Sequence, residues 1–312
     1  MLTDWDVFPS LKLGDFTLEI ELSPLSEELQ EVANRELRET PERQKESLDR
    51  FKELLKVPLD NEAWLIRFLR PCKYYPESAL KLVRNYYSFK VKHHNVYDGL
   101  KPSREKNIFE QNILTVLPNR DQHGRRILII ELGKKWKPNK CTLDEVFKGC
   151  VLYVEAAMLE PSTQVAGAVV IFDMDGLSLQ QTWHFTPPFA KRIVDWLQDA
   201  VPLRIKNIHI VNQPYVFNMV FALFKPFLRE KLKSRVSMSV NVSEILFIRE
   251  EYNSTCLQGR TKKNDCSRRK SRPVAMLRAT TSTAGYRFPS HCRLKKLRRT
   301  IYLLIHKRVI SH

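Results

Sequence analysis

The sequence lacks the long apolar runs that would place it across a membrane. No apolar stretch reaches the roughly 18 residues needed to span a bilayer. The acidic opening MLTDWDVFPS also differs from a signal peptide, which has a basic region and an apolar core. The chain contains no G-x-G-x-x-G and no P-loop, so it carries neither a dinucleotide nor an ATP fingerprint. These absences predict an intracellular protein without a transmembrane helix.

Cysteine is scarce and shows no metal-binding or redox spacing. None of the six cysteines forms a Cys-x-x-Cys pair, and none has a histidine at zinc spacing. We therefore expect free thiols, no metal site and no cofactor. The six are Cys72, Cys141, Cys150, Cys256, Cys266 and Cys292.

Acidic residues are depleted at one end of the chain only. The formal net charge is +17, but residues 236–312 hold 17 Lys and Arg against 4 Asp and Glu and so account for +13 of it. Nucleic-acid binding is therefore an alternative function for this tail alone, and we expect no specific nucleic-acid partner for the folded part. With 43% hydrophobic residues and only nine glycines, that part can bury one sizeable core and a smaller helical unit.

The first third of the chain has the apolar spacing of helices. SPLSEELQEVANREL places its leucines on one face, and a second helix restarts at Pro41. A third helix is capped by Asp60 or Asn61, and a fourth begins at Pro76. Together they predict a small helical bundle that ends near residue 95.

From about residue 110, strands alternate with helices. RRILIIEL, AVVIFDMDG and NIHIV read as strands, the second of them buried. The helix after Thr142 has a capping box with Glu145, and the helix after Thr186 has Pro187 at its first position. This order implies right-handed crossovers and a largely parallel sheet. The predicted fold class is α/β, with an all-helical bundle in front of the sheet.

The segment VFALFKPFLREKLKSRV joins an apolar helix to a basic run. The helix before Pro226 is apolar on nearly all sides, so protein, an apolar ligand or membrane must cover it. A buried core helix and a lid over an apolar cavity both fit this pattern. Arg204 and Lys206 flank the preceding strand and are predicted to converge with the basic run. Converged cations suit a phosphate-bearing headgroup, and a solvated helix face is the alternative.

One stretch suggests an enzyme. VVIFDMDGLSL resembles the nucleophile strand of haloacid-dehalogenase-like, Mg-dependent phosphatases, in which aspartates spaced like Asp173 and Asp175 attack and protonate a phosphoester. Leu177 stands where those enzymes have threonine, and no later strand ends in a carboxylate pair for magnesium. We therefore favour a strand-end turn and keep the phosphatase as the alternative. The histidines stand outside any triad-like context, so we predict no catalytic residue and no enzyme activity.

Two long stretches together resemble one family. AWLIRFLRPCKYYPESALKLVRNYY is similar to the N-terminal helical signature of the CRAL-TRIO, or Sec14-like, lipid-binding family. Residues 172–235 are similar to that family's lipid-binding core, most of all in the branch of the α-tocopherol transfer protein and the clavesins. The resemblance implies domains at 25–98 (helical) and 101–236 (lipid-binding), after an extension at 1–24. A basic, disordered tail outside the family is expected at 237–312.

The resemblance also implies a function. It implies a cytoplasmic, monomeric carrier, peripheral on endosomal or Golgi membranes, which encloses one hydrophobic ligand beneath a helical gate at about 213–233. Exchange would occur at phosphoinositide-bearing membranes. The residues implied for phosphoinositide binding are Arg204, Lys206, Lys231 and Arg235. The lining residues of the lipid pocket, implied by the resemblance and by apolar phase, are Phe147, Cys150, Val151, Val154, Ile171, Trp183, Phe189, Ile193, Ile208, Phe217, Val220 and Phe221.

The chain departs from the family pattern at three places. Cys72 replaces an arginine of the basic surface. Cys150 and Val154 stand where tocopherol carriers place serines that bind ordered water, which predicts a drier pocket for a more apolar or a different ligand.

The third departure is the end of the likeness at Arg235. Relatives continue with a further strand and closing helices, which this sequence does not show. The codons of Val236-Ser237 can match the splice-donor bases GTAAGT, so a retained intron or a mis-predicted gene is one hypothesis for the tail. Sequencing the transcript across this junction tests it. A genuine tail is predicted to leave one edge of the sheet uncovered.

Overall fold

The computed structural model describes residues 10–13, 16–56 and 61–239. A two-stranded antiparallel hairpin precedes the helices, and a five-stranded sheet follows them. Strands alternate with helices from residue 126 onward, as predicted, whereas the first two strands of the larger sheet follow each other without a helix. The strands are β1 (Ser10–Leu13), β2 (Phe16–Glu19), β3 (Leu114–Val116), β4 (Arg126–Glu131), β5 (Ala168–Asp173), β6 (Ile205–Val211) and β7 (Val236–Ser239).

Several of the helices begin at a residue whose side chain caps them. Thr40 Oγ1 accepts a hydrogen bond from the backbone of Arg43 at 3.2 Å, and Asn61 Oδ1 accepts one from Trp64 at 3.0 Å. The helices are α1 (Glu27–Val32), α2 (Pro41–Leu55), α3 (Glu62–Leu69), α4 (Pro76–Lys92), α5 (His94–Tyr97), α6 (Lys106–Glu110), α7 (Leu143–Ala157), α8 (Pro161–Ala166), α9 (Leu179–Thr182), α10 (Pro187–Asp195), α11 (Phe217–Phe224) and α12 (Glu230–Lys233).

Short irregular turns extend several of these helices. α1 continues into a π-helical turn (Ala33–Leu37), and α10 continues into another (Trp196–Ala200). A 3-10 turn (Arg70–Cys72) follows α3, and a second one (Lys225–Phe227) ends α11 at the proline. None of the helices in the described ranges is both long enough and apolar enough to cross a membrane.

The sheet has the order β3-β4-β5-β6-β7. β3 runs antiparallel to β4, and every other neighbouring pair is parallel. This agrees with the predicted largely parallel sheet. Parallel strands must be covered on both faces, which explains the unbroken apolar runs in β4 and β5.

Strand β7 extends the sheet a few residues beyond residue 236, where the lipid-binding domain was predicted to end. The tail was expected to begin at residue 237 as disordered chain, but Val236–Ser239 forms a strand that pairs in register with β6. The strand forms there because it can take up the free backbone groups of β6, which would otherwise be an exposed edge. The rest of the tail, residues 240–312, lies outside the described residues.

Two apolar cores hold the molecule together. The smaller one joins α2, α3 and α4 around fully buried side chains such as Phe51 and Leu65. The larger one lies between one face of the sheet and helices α7, α10 and α11, and it includes Trp136 and Phe147. The second of these cores surrounds the site described next.

Candidate functional site

A partly open, apolar cavity of about 160 Å³ lies between the sheet and the helices α7, α10 and α11. Its wall consists of aliphatic, aromatic and sulfur-bearing side chains, and no polar surface of these residues is exposed inside it. Such a cavity excludes water because it offers no hydrogen-bond partner. The cavity can therefore hold an apolar molecule, and its wall presents no polar group that could react with that molecule.

The pleat of the sheet decides which strand residues face this cavity. Successive side chains of a strand point to opposite faces. In β5, Val170 and Phe172 line the cavity, whereas Val169 and Ile171 pack on the other face, together with Ile127 of β4.

Most of the predicted pocket residues surround the cavity. Helix α7 supplies three of them from one side, α10 supplies two, and α11 supplies three across the opening. The nine predicted residues that line it are Phe147, Cys150, Val154, Phe189, Ile193, Ile208, Phe217, Val220 and Phe221.

Three predicted pocket residues lie elsewhere. Ile171 faces the opposite side of the sheet for the reason of alternation just given. Val151 is buried in the core around α7 but does not line the cavity. Trp183 follows the short helix α9 and is 71% exposed, so this large aromatic points to solvent rather than into the pocket.

Sequence reasoning missed many residues of the wall. Alternate residues of β4 line the cavity, and their period-two spacing could have identified them once one of them was assigned to the cavity face. Other missed residues come from turns, from the end of the α10 helix and from the segment around α12, where Leu228 and Leu232 have an apolar i,i+4 spacing. Examples are Leu128, Ile130, Met174, Phe185, Trp196, Leu228, Leu232 and Val236.

Helix α11, the predicted gate, is covered by protein on one face only. Phe217 and Val220 are buried against the cavity, while Met219 is 51% exposed and Tyr215, just before the helix, is 89% exposed. The described part of the protein therefore covers only the inner face of this helix, and a membrane, one of the covers that the sequence allows, stays a prediction for the outer face. An exposed apolar face on a short helix is typical of a surface that meets a partner or a membrane.

The cations Arg204 and Lys206 lie together at the start of β6. Both pair with the same oxygen of Glu36, Arg204 Nη2 at 2.6 Å and Lys206 Nζ at 2.8 Å. The hydrogen bond from Lys206, with help from Arg204, holds the pKa of Glu36 down at about 2. Burial and the nearby Arg204 lower the pKa of Lys206, although Glu36 opposes them. The carboxylate thus stays ionised until the pH falls far below 4.5, and the pairing is lost only on the way towards pH 2.

Of the two other cations predicted for the basic group, Arg235 lies beside Arg204, and Lys231 lies near Cys72. Arg235 precedes β7 and donates from Nη1 to the carbonyl oxygen of Ile205 at 2.6 Å, which puts it beside Arg204. Burial and the charge of Arg204 both lower the pKa of Arg235. Lys231, on α12, forms no ion pair with any residue that the structure describes, and it lies near Cys72. Burial raises the pKa of the Cys72 thiol to about 11 despite Lys231, so this thiol is neutral.

Asp173 and Asp175 make hydrogen bonds and an ion pair around the turn that follows β5. Asp173 Oδ1 accepts hydrogen bonds from the backbone of Asp175 at 2.9 Å and from Asn212 Nδ2 at 3.0 Å. Asp175 pairs with Lys134 instead. These contacts fix the turn at the end of β5, where Gly176 has a φ of 74° that other residues adopt with difficulty.

A buried ion-pair network lies at the same end of the parallel strands as Arg204 and Lys206. Glu160, before α8, accepts hydrogen bonds from Arg126 at 2.8 and 3.0 Å, from Arg120 at 3.0 Å and from Thr163 at 2.5 Å. Burial would raise the pKa of Glu160, but the hydrogen bonds from Arg126 and Thr163 outweigh it and lower the pKa. The network thus ties the start of α8 to the start of β4, and Arg204 donates to the carbonyl oxygen of Val165 on the same helix.

The five-stranded sheet, the cavity wall and α11 all lie within one stretch that matches a known family. Residues 110–258 match the CRAL/TRIO domain. This chain therefore carries a domain of the CRAL-TRIO family. The match continues beyond Arg235, where we expected the likeness to end, and its last residues, 240–258, lie outside the described residues.

Two groups of curated proteins are similar in sequence to this chain. The chain is 36% identical over 217 residues to "Alpha-tocopherol transfer protein-like" of Homo sapiens, which covers 68% of this chain and 63% of that protein. It is 28% identical over 225 residues to "Clavesin-2" of Homo sapiens, covering 70% of this chain and 68% of that protein. A solved structure titled "Crystal structure of Sfh5" aligns at 15% identity with a TM-score of 0.41, covering 89% of this chain and 99% of that chain. The chain thus spans less than two thirds of the tocopherol transfer protein-like relatives.

Proposed function

We propose that this protein is a carrier that encloses one hydrophobic ligand beneath α11 and exchanges it at membranes without any chemical step. The observation that carries the proposal is the wholly apolar cavity under a helix that also exposes apolar side chains, Tyr215 and Met219, on its outer side. The names of the tocopherol transfer protein-like relatives support a lipid as the ligand. We further propose that it acts as a monomer on the cytoplasmic face of endosomal or Golgi membranes.

The cavity must enlarge to hold a lipid. Its volume of about 160 Å³ is close to that of an apolar cavity that binds benzene, about 150 Å³. Pockets for larger ligands have volumes of roughly 300–1,000 Å³. α11 is the element suited to move, because one of its faces is free and the 3-10 turn at Pro226 interrupts the helix behind it. Its displacement would open the cavity and add volume.

The apolar wall also restricts the ligand. Cys150, where tocopherol carriers have a serine, is buried enough that the pKa of its thiol rises to about 12, so it stays neutral. A charged or strongly polar group inside this wall would remain unsatisfied. We therefore propose a ligand with a long hydrocarbon part whose polar end stays at the mouth of the cavity.

Exchange at a membrane follows from the energetics of burial. Enclosing the ligand removes its apolar area from water at about 25 cal/mol per Å², so release into water is strongly unfavourable. The exposed apolar residues Trp183, Tyr215 and Met219 would gain contact with acyl chains at a membrane surface. The open gate is favoured there only because it has more such contact than the closed gate.

Organic extraction of the purified full-length chain, followed by mass spectrometry, tests the carrier proposal directly. We expect one class of lipid at close to one molecule per chain. Loading the delipidated protein from vesicles of total cellular lipid should restore the same class. A protein that is empty after purification and takes up nothing from such vesicles would contradict the proposal.

The basic group is proposed to bind phosphoinositide headgroups. Replacing Arg204 and Lys206 together by glutamine should weaken binding to phosphatidylcholine vesicles that contain phosphatidylinositol bisphosphate by about 30-fold, at roughly 1 kcal/mol for each lost cation. Binding is measured by vesicle co-sedimentation. Replacing the exposed Lys101 and Arg104 by glutamine removes the same charge from another surface and serves as the control. Equal losses for both double variants would show a general charge effect and not a headgroup site.

A further inference from the structure

Glu36 occupies the place where an anion would bind to Arg204 and Lys206. One of its oxygens lies 2.6 Å from Arg204 Nη2 and 2.8 Å from Lys206 Nζ, so the carboxylate already satisfies both donors. The side chains of Arg204 and Lys206 are only 15% and 20% exposed, whereas that of Glu36 is 34% exposed. An approaching anion therefore meets the carboxylate before it meets the two cations.

The position of Glu36 is fixed by the structure around it. The residue lies on the π-helical turn Ala33–Leu37, whose Ala33 and Leu37 are completely buried and pack against Val165. Arg204 Nη1 donates to the carbonyl oxygen of that same Val165 at 2.5 Å. Because both partners are anchored at one place, the carboxylate competes with an external anion at a high effective concentration.

We propose that Glu36 is an internal competitor for the anion site, so that a headgroup must displace it in order to bind. This inference rests on the proposed headgroup-binding function of Arg204 and Lys206. A headgroup with several phosphates can displace the carboxylate because it also reaches Arg235 beside Arg204. The competitor therefore sets a minimum membrane charge below which the protein stays in solution.

The variant Glu36→Gln tests this competition. It keeps the shape of the side chain and removes the charge, so binding to vesicles that contain phosphatidylinositol bisphosphate should tighten by about 5-fold or more, the value of roughly one additional cation near an anionic surface. Soluble inositol trisphosphate, titrated calorimetrically, should show the same gain, because the competition concerns the headgroup itself. The thermal midpoint of each variant confirms that it is folded.

Two controls separate competition from general charge. Glu31→Gln removes an exposed carboxylate from the neighbouring α1 and should tighten binding much less than Glu36→Gln. In a chain that already carries Arg204→Gln and Lys206→Gln, the Glu36→Gln gain should disappear, since its two partners are gone. A gain that persists there, or one seen on vesicles but not with inositol trisphosphate, would overturn the inference.

The outcomes also separate this inference from the function on which it rests. If the unmodified chain binds anionic vesicles through Arg204 and Lys206 and Glu36→Gln changes nothing, only the competitor is refuted. If neither protein binds these vesicles, headgroup binding itself is refuted and the competitor with it. If Glu36→Gln alone binds, the competitor is supported in its strongest form.

Discussion

Replacing Glu160 by alanine is expected to lower the free energy of unfolding by about 3–5 kcal/mol, the usual cost of removing one partner of a buried ion pair. The Glu160 and Arg126 side chains are 6% and 8% exposed, so the guanidinium of Arg126 would lose its two hydrogen bonds to Glu160 in a place that water scarcely reaches. Arg120 and Thr163 would lose the same acceptor. Urea denaturation of the full-length chain, followed by circular dichroism, measures this loss.

The matched control is Glu110→Ala. Glu110 is exposed at the end of α6, and its removal should change the stability by no more than about 0.5 kcal/mol. Because pairing lowers the pKa of Glu160, its contribution is present above the ordinary value of 4.5 and is lost as the pH falls through the lowered pKa. The difference between the unmodified chain and Glu160→Ala should therefore shrink in acid. A loss of less than about 1 kcal/mol in the free energy of unfolding at pH 7 would contradict the view that this network stabilises the end of the sheet where β4 begins.

The second large effect is expected from filling the cavity. Val154 lies on α7 with its side chain in the cavity wall, so Val154→Trp places an indole in the space that the ligand needs. Lipid recovered by extraction should fall at least about 10-fold, because roughly 1.4 kcal/mol of lost affinity already has this effect. The fold should survive, since the added atoms enter existing space instead of a packed core.

Val154→Ala is the matched variant at the same position. It enlarges the cavity, so the amount of bound lipid should stay the same or rise, while stability falls by the usual cost of deleting buried methyl groups. Mass spectrometry of extracted lipid and thermal unfolding are measured on both variants. Unchanged lipid content in a folded Val154→Trp protein would place the ligand somewhere other than this cavity.

Local signals explain why most of the fold was predictable. Capping residues such as Thr40, Thr142 and Thr186 mark helix starts whatever the tertiary structure, because each satisfies backbone donors within three residues. Buried runs such as AVVIF identify central parallel strands. β3 was not predicted because it has only three residues and forms through pairing with β4.

The site was less predictable than the fold because its residues depend on phase and on distant contacts. In β5 both faces are apolar, so the sequence cannot distinguish Val170, which lines the cavity, from Ile171, which does not. Family likeness and apolar phase assign Trp183 to the pocket, and no local rule shows that it lies on the surface. Glu36 is paired across 168 and 170 positions, and such a pairing leaves no periodic signal.

The position of β7 beside β6 limits how the gate can move. Residues 212–235, including α11, leave the sheet at the end of β6 and return to it at the start of the adjacent parallel strand. Both ends of this crossover are therefore tied to the backbone ladder of one sheet. Opening can therefore displace the middle of the crossover while its two ends stay in place. Such a motion is a subglobal fluctuation with its own free energy, and the β6 and β7 amides stay protected from hydrogen exchange during it.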